Sequence, residues 1–191
     1  GNATETKFKC RLGKKGETVE LTLPMVGRHN VYNALAAVAA GYQLGLTVPE
    51  IQAGLKSLEI SGMRFETKRM GTYNIINDAY NASPMSMEAA ISTLADVTKG
   101  RYITVLGEVS VAAHQKVGRQ VAKSGAAALI AYGPMGREIA NGAKEAGMEA
   151  VFHVDSHEQA AAKLKELLQP EDTVLFKGSR GMAMEKKIEL M

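Results

Sequence analysis

Tyr102-Ile103-Thr104-Val105-Leu106-Gly107-Glu108 is a run of apolar and β-branched residues with no polar alternation, closed by a glycine and an acid. Such a run suits a strand covered on both faces, as in a parallel sheet flanked by helices. Outward from it the same rhythm repeats. Strands are expected at Tyr73–Asn77, Ala127–Tyr132, Ala150–Val154 and Thr173–Lys177. Helices are expected between them at Pro84–Val97, Ala112–Lys123, Met135–Ala146 and His157–Leu168, with a last one from about Met182. Strand and helix in strict alternation predict an α/β, doubly wound, mostly parallel sheet. Phe65–Met70 reads as a hairpin partner of Tyr73–Asn77 across Gly71-Thr72.

The residues before Gly62 follow another pattern. Phe8–Leu12 and Thr18–Leu23 alternate, with Val19, Leu21 and Leu23 on one face, and Gly13-Lys14-Lys15-Gly16 reads as the loop between them. Asn30–Leu44 spaces Val31, Leu35 and Val38 for a helix face, with Asn30 as N-cap. A second helix runs from Val48 to about Leu58, with Thr47 and Glu50 placed for a capping box around Pro49. A hairpin and two helices are small for an independent core, so 1–62 reads as the end of a larger domain and 63–191 as a complete one.

Composition narrows the function. The net charge of +3 is scattered, with no Lys/Arg block to suggest a nucleic-acid or membrane surface. The single cysteine, Cys10, fits a reducing compartment, and no apolar run is long enough to span a membrane, so cytoplasm is the expected location. His153 and His157 have a spacing that zinc sites use, but they flank a strand end and a helix start, and no metal site is expected. No G-x-x-x-x-G-K-S/T loop is present to hold nucleotide phosphates. Gly133-Pro134-Met135-Gly136 lacks the dinucleotide pattern and follows the wrong strand, which argues against a dehydrogenase.

In a doubly wound sheet, ligands gather at the carboxyl ends of the strands. The tips here are Asp78-Ala79-Tyr80-Asn81, Gly107-Glu108, Gly133-Pro134 and Gly178-Ser179-Arg180. Ser83 and Pro84 are a helix start, but that does not account for Asp78, Tyr80 and Asn81 clustered before it. A carboxylate at a strand tip can accept hydrogen bonds from ribose hydroxyls. Asn30 and Asn33 could read the edge of a base or merely start a helix. Arg64 reads as a surface arginine or as a nucleotide contact. Lys177, Ser179 and Arg180 form a candidate anion seat, the rival being a solvated loop.

These strings together resemble the Mur ligases. Gly27-Arg-His-Asn-Val-Tyr-Asn33 followed by Ala-Leu-Ala-Ala is similar to the family's G-x-H-N-x-x-N-x-x-A-A helix. Asn77-Asp-Ala-Tyr-Asn-Ala-Ser-Pro-Met-Ser-Met87, Val105-Leu-Gly-Glu108 and Lys177-Gly-Ser-Arg180 with Met184-Glu185 are similar to motifs of the branch that adds D-Ala-D-Ala. The resemblance implies a Rossmann-like C-terminal domain over 63–191, preceded by the last part of the central ATPase domain. It implies an ATP-dependent ligase of peptidoglycan synthesis that joins D-Ala-D-Ala to a UDP-N-acetylmuramoyl tripeptide through an acyl phosphate, using ATP and Mg2+. By the same resemblance Asn30, Asn33, Arg64 and Asp78 would face the nucleotide, and Tyr80, Asn81, Lys177, Ser179 and Arg180 the substrates. The partner domains carrying the phosphate loop and the magnesium ligands would precede this chain, which alone would be inactive. The sequence departs from the pattern in a shorter connection between Gly107 and His114, and in Ala79 and Ser83. A nucleotide-binding or interaction module that merely shares this fold is the alternative.

Overall fold

The computed structural model describes residues 5–13, 16–59, 62–109 and 113–191. The chain divides into two compact units, Gly1–Ile60 and Ser61–Met191.

In the first unit, β1 (Thr6–Arg11) and β2 (Thr18–Leu23) form an antiparallel pair with Phe8 opposite Leu21. Lys14 and Lys15 of the expected loop lie outside the described residues. Helix α1 (Arg28–Gln43) starts one turn earlier than expected: Gly27, at φ 100°, is its N-cap, and Asn30 lies inside the first turn. The Asn30 side chain donates from Nδ2 to Val26 O at 2.8 Å, so it ties the entering chain to the helix instead of capping it. The buried face runs through Asn30, Ala34, Val38 and Gly41, leaving Val31 and Leu35 at its margin. Helix α2 (Val48–Lys56) has the expected capping box, with Thr47 N–H donating to Glu50 Oε2 at 2.8 Å. Ile51 and Leu55 of α2 pack on Leu21 and Leu23, and Gln52 closes on the edge of β2, accepting from Thr22 N and donating to Thr22 O.

The second unit is the alternating one. In chain order come β3 (Glu66–Met70), β4 (Tyr73–Asn77), α3 (Pro84–Val97), β5 (Tyr102–Leu106), α4 (His114–Ser124), β6 (Ala128–Tyr132) and α5 (Gly136–Glu145). β7 (Val151–Val154), α6 (His157–Leu167), β8 (Thr173–Lys177), a 3-10 turn (Arg180–Met182) and α7 (Glu185–Glu189) complete it. The six strands lie in the order β3-β4-β8-β5-β6-β7, parallel except for the β3–β4 hairpin. Every residue of β5 and of β8 is buried. Their side chains alternate between two apolar layers. Leu106, together with Leu129 of β6, meets α3, α4 and α5, while Ile103, Val105, Val174 and Phe176 meet α6 and the C-terminal residues around Met184.

Local chemistry sets the element ends. Ser83 accepts from Ser86 N at 3.2 Å with Pro84 in the first turn, and Ser156 accepts from Gln159 N at 3.2 Å. The last helix begins later than expected because Ala183, at φ 43°, breaks the chain between the 3-10 turn and α7. The short Gly107–His114 connection includes residues 110–112, outside the described residues. Among the described residues, no helix is long and apolar enough to cross a membrane.

Candidate functional site

The topology creates the site. After β4 and β5 the chain turns into helices on one face of the sheet, whereas after β8, between them, it turns to the other face. The chain therefore leaves the sheet on opposite faces on either side of the β8 tip, and such a switch point is the ordinary ligand position in a sheet of this kind.

Asp78 and Lys177 meet at this point. Lys177 Nζ donates to Asp78 Oδ2 at 2.7 Å and to Asn81 O at 3.0 Å. Asp78 Oδ1 accepts from Phe65 N at 3.0 Å. The Lys177 and Asp78 side chains are 3% and 15% exposed, so Lys177 lies beneath the surface of the strand tips. Lys177, expected as part of an anion seat, thus makes its hydrogen bonds to the protein. Its ammonium is committed to the β4 tip because the parallel β4–β8 pairing carries both residues to the same end of the sheet. Asp78 keeps acceptor capacity, since each carboxylate oxygen has two lone pairs and one protein hydrogen bond is made to each.

Above this pair, Tyr80 is an exposed platform. The Arg64 guanidinium lies 4.0 Å from the ring centroid and that of Arg180 5.9 Å away. Both arginines are exposed, and Arg180 Nη1 also touches Met63 Sδ at 3.2 Å. Two cations thus lie against one aromatic ring. Arg64 is held between Met63 and Phe65, both in the left-handed region, at φ 61° and 51°. Such backbone is costly for side chains of this size and fixes the direction of the loop.

The remaining tip residues are ordered by the backbone. Asn81 is exposed, and its Oδ1 accepts from Ala82 N at 2.8 Å. Ser179 N–H donates to Glu108 O at 3.1 Å, so it is not free for an anion, and the segment after it is a 3-10 turn without a helix N-terminus. Glu108 Oε1 accepts from Met135 N at 3.0 Å and so clasps the β5 tip to the β6 tip. Asn30 and Asn33 belong to the first unit, where Asn30 is buried and Asn33 exposed.

Sequence reasoning passed over a second cluster. Lys187 is fully buried, with Nζ 3.0 Å from His157 Nδ1, 3.2 Å from Met184 Sδ and 3.5 Å from the Tyr132 ring centroid. Burial pulls its pKa down to about 8. Burial and the neighbouring ammonium hold His157 below its ordinary value, and burial holds Tyr132 above its own. A lysine in Glu185-Lys186-Lys187 looks like part of a solvated helix face, so nothing in the sequence marks it. His153, the other histidine of the zinc-like spacing, lies 2.8 Å from Gly133 O, and no group of three metal-ligating side chains occurs among the described residues. A cavity of about 290 Å³ in the first unit, lined by Cys10, Leu12, Leu35, Val38 and Tyr42, contains none of the candidate residues.

Comparison with known proteins bears on this geometry. Residues 63–180 match the family model "Mur ligase, glutamate ligase domain". The chain is 35% identical over 184 residues to UDP-N-acetylmuramoyl-tripeptide–D-alanyl-D-alanine ligase of Bacillus subtilis (strain 168), covering 92% of this chain and 40% of that protein. The solved structure of UDP-N-acetylmuramoylalanyl-D-glutamyl-2,6-diaminopimelate–D-alanyl-D-alanyl ligase from Acinetobacter baumannii superposes with a TM-score of 0.84 at 28% identity, over 98% of this chain and 42% of that one. MurF ligase from Thermotoga maritima in complex with ADP shares the fold, with a TM-score of 0.74 at 20% identity, over 98% of this chain and 45% of that one. The chain thus spans less than half the length of the proteins it matches.

Proposed function

The chain belongs to the Mur ligase family, and from that premise we propose that it is the C-terminal part of an ATP-dependent ligase that joins D-Ala-D-Ala to a UDP-N-acetylmuramoyl tripeptide in peptidoglycan synthesis. The observation that carries this reading is the convergence of Arg64, Asp78, Tyr80, Asn81, Ser179 and Arg180 around the β4 and β8 tips, above the Asp78–Lys177 pair.

In the proposed reaction the terminal carboxylate of the tripeptide attacks the γ-phosphorus of ATP, giving an acyl phosphate and ADP. The amine of D-Ala-D-Ala then attacks the acyl carbon, phosphate leaves, and the amine loses a proton. Asp78 has lone pairs left for a ribose hydroxyl, and the Arg64 guanidinium can meet a phosphate oxygen. The exposed Arg180 suits a carboxylate of the incoming dipeptide or of the peptide end. Asn33 is exposed and could read the adenine edge; the buried Asn30 would order the start of its helix. Phosphoryl transfer needs loop N–H groups, a lysine and magnesium at the γ-phosphate. In this proposal magnesium and the phosphate loop belong to further domains of the intact enzyme.

The experiment compares the 191-residue chain with the full polypeptide of its reading frame. The full protein is expected to sustain ADP release over many turnovers only when both UDP-muramoyl tripeptide and D-Ala-D-Ala are supplied, and the chain alone to turn over neither. Tight ATP binding by the chain alone would instead favour an independent nucleotide-binding module.

A further inference from the structure

Lys187 lies outside the motifs, is completely buried, and acts on the β8 tip through Met184. Met184 crosses two glycines. A Cβ at Gly178 would come within 2.7 Å of Met184 Cγ, and one at Gly107 within 2.9 Å of its Sδ. The thioether therefore rests directly on the backbone at the ends of β8 and β5. The same sulfur accepts from Lys187 Nζ at 3.2 Å, one helical turn further on. Lys187 Nζ in turn donates to His157 Nδ1, at the start of α6, and sits against the face of Tyr132, at the end of β6. With Nδ1 as acceptor, His157 carries its proton on Nε2, which faces Tyr132 Oη at 3.3 Å. One ammonium thus joins the β6 tip and the α6 start to the side chain lying on the β5 and β8 tips.

Packing alone does not explain a lysine here. Methionine would fill similar volume without the desolvation penalty of a buried cation. Among the described residues no carboxylate hydrogen-bonds the ammonium. The charged or titratable groups around it are His157 and Glu158 of α6, Tyr132 of β6, and Glu185 and Lys186 of its own helix, with Glu108 acting on Tyr132. What the ammonium adds is direction, because its N–H groups have defined acceptors.

We propose that Lys187 is a positioning residue of the strand-tip site: its ammonium locks Met184 across Gly107 and Gly178 and thereby fixes the conformation of Ser179 and Arg180. Through Gly178 the lock reaches the Ser179 N–H to Glu108 O hydrogen bond, which ties the β8 tip to the β5 tip. The functional value of the lock rests on the ligase reading of this tip; the lock itself does not.

The test is made on the 191-residue chain with Lys187→Met and amide-resolved hydrogen exchange. The variant is expected to keep wild-type thermal stability or better at neutral pH, while the Ser179 amide exchanges about tenfold faster and core amides of β5 keep their protection. In the wild type, the Ser179 and Met184 resonances should shift together with Lys187 Cε through one titration near pH 8, and the step in the backbone resonances should vanish in Lys187→Met. Unchanged Ser179 exchange in a folded variant overturns the proposal. So does a wild-type titration of Lys187 that leaves Ser179 and Met184 unmoved, a readout that stands even if the variant fails to fold. If Ser179 responds but the full-length Lys187→Met enzyme has unchanged KM for both peptide substrates, the lock stands and the ligase reading of the tip falls.

Discussion

Lys177 and Asp78, 99 residues apart in sequence, form an ion pair of 2.7 Å beneath the strand tips, with the lysine side chain 3% exposed. Removing one partner strands the other in a poorly solvated place, and breaking such pairs costs about 3–5 kcal/mol. Asp78→Ala is therefore expected to destabilise the second unit by about 3 kcal/mol or more, because it strands the more deeply buried Lys177, and Lys177→Ala by somewhat less because the Asp78 it strands is the more exposed. Lys177→Met combined with Asp78→Asn should recover part of the loss. Urea unfolding of the three variants checks this; a Lys177→Ala chain as stable as wild type would show that water reaches the aspartate freely.

Arg64 and Arg180 share the Tyr80 ring, so their effects can be separated and then coupled. In the full-length enzyme, Arg64→Ala is expected to raise the KM for ATP about tenfold, and Arg180→Ala the KM for D-Ala-D-Ala or the UDP-peptide by a similar factor, each sparing the other substrate. Tyr80→Ala should raise both KM values several-fold, whereas Tyr80→Phe should change neither, because the ring and not the hydroxyl holds the guanidiniums. Steady-state kinetics with each substrate varied decides it, and an ATP-only defect in Arg180→Ala would relocate that residue to the nucleotide.

Helices α4 and α5 touch through glycine. A Cβ at Gly118 would lie 1.9 Å from Ile139 O, and one at Gly142 2.1 Å from Gln115 O. Both obstacles are backbone and cannot rotate away, so the helices must separate. Gly118→Ala and Gly142→Ala are each expected to cost about 2 kcal/mol or more despite alanine's better helix propensity. Thermal unfolding of each variant measures the loss.

Lys187 makes stability depend on alkaline pH. Its folded pKa is about 8 against an ordinary 10.5, lowered mainly by burial and only partly restored by Glu185. Below pH 8 the amine is protonated in both folded and unfolded chains, and the full burial penalty applies. Between pH 8 and 10.5 the unfolded chain still holds a proton that the folded one has released, so stability rises with pH, by up to about 3 kcal/mol. The stability of wild type minus that of Lys187→Met, measured by urea unfolding from pH 6 to 10.5, should be flat below pH 8 and climb above it. A flat difference throughout would mean that the amine is not desolvated.

Much of the fold is written in residue order. The unbroken apolar run of β5, the serine and proline at the start of α3, and the Thr47–Glu50 box are local signals, and the elements they predict are present. Local signals are legible because propensity, capping and periodicity act within a few residues. They were less sure at Asn30, where an N-cap residue type sits three positions inside the helix because Gly27 alone tolerates the φ of 100° at its start.

The sequence alone determined the alternating α/β class, the family resemblance, and the clustering of Asp78, Tyr80, Asn81, Ser179 and Arg180 at strand tips. Only the tertiary structure decided what those residues do to one another. Strand order places β8 between β4 and β5, and that pairing, not any local pattern, brings Lys177 under Asp78 and leaves Arg64 and Arg180 on one tyrosine. Lys187 shows the same division. Its neighbours in sequence make it look solvated, and its burial follows from α7 packing on α6 and the end of β6, contacts 30 and 55 residues away along the chain. Desolvation is a property of the surrounding volume, and that volume is assembled from distant parts of the chain.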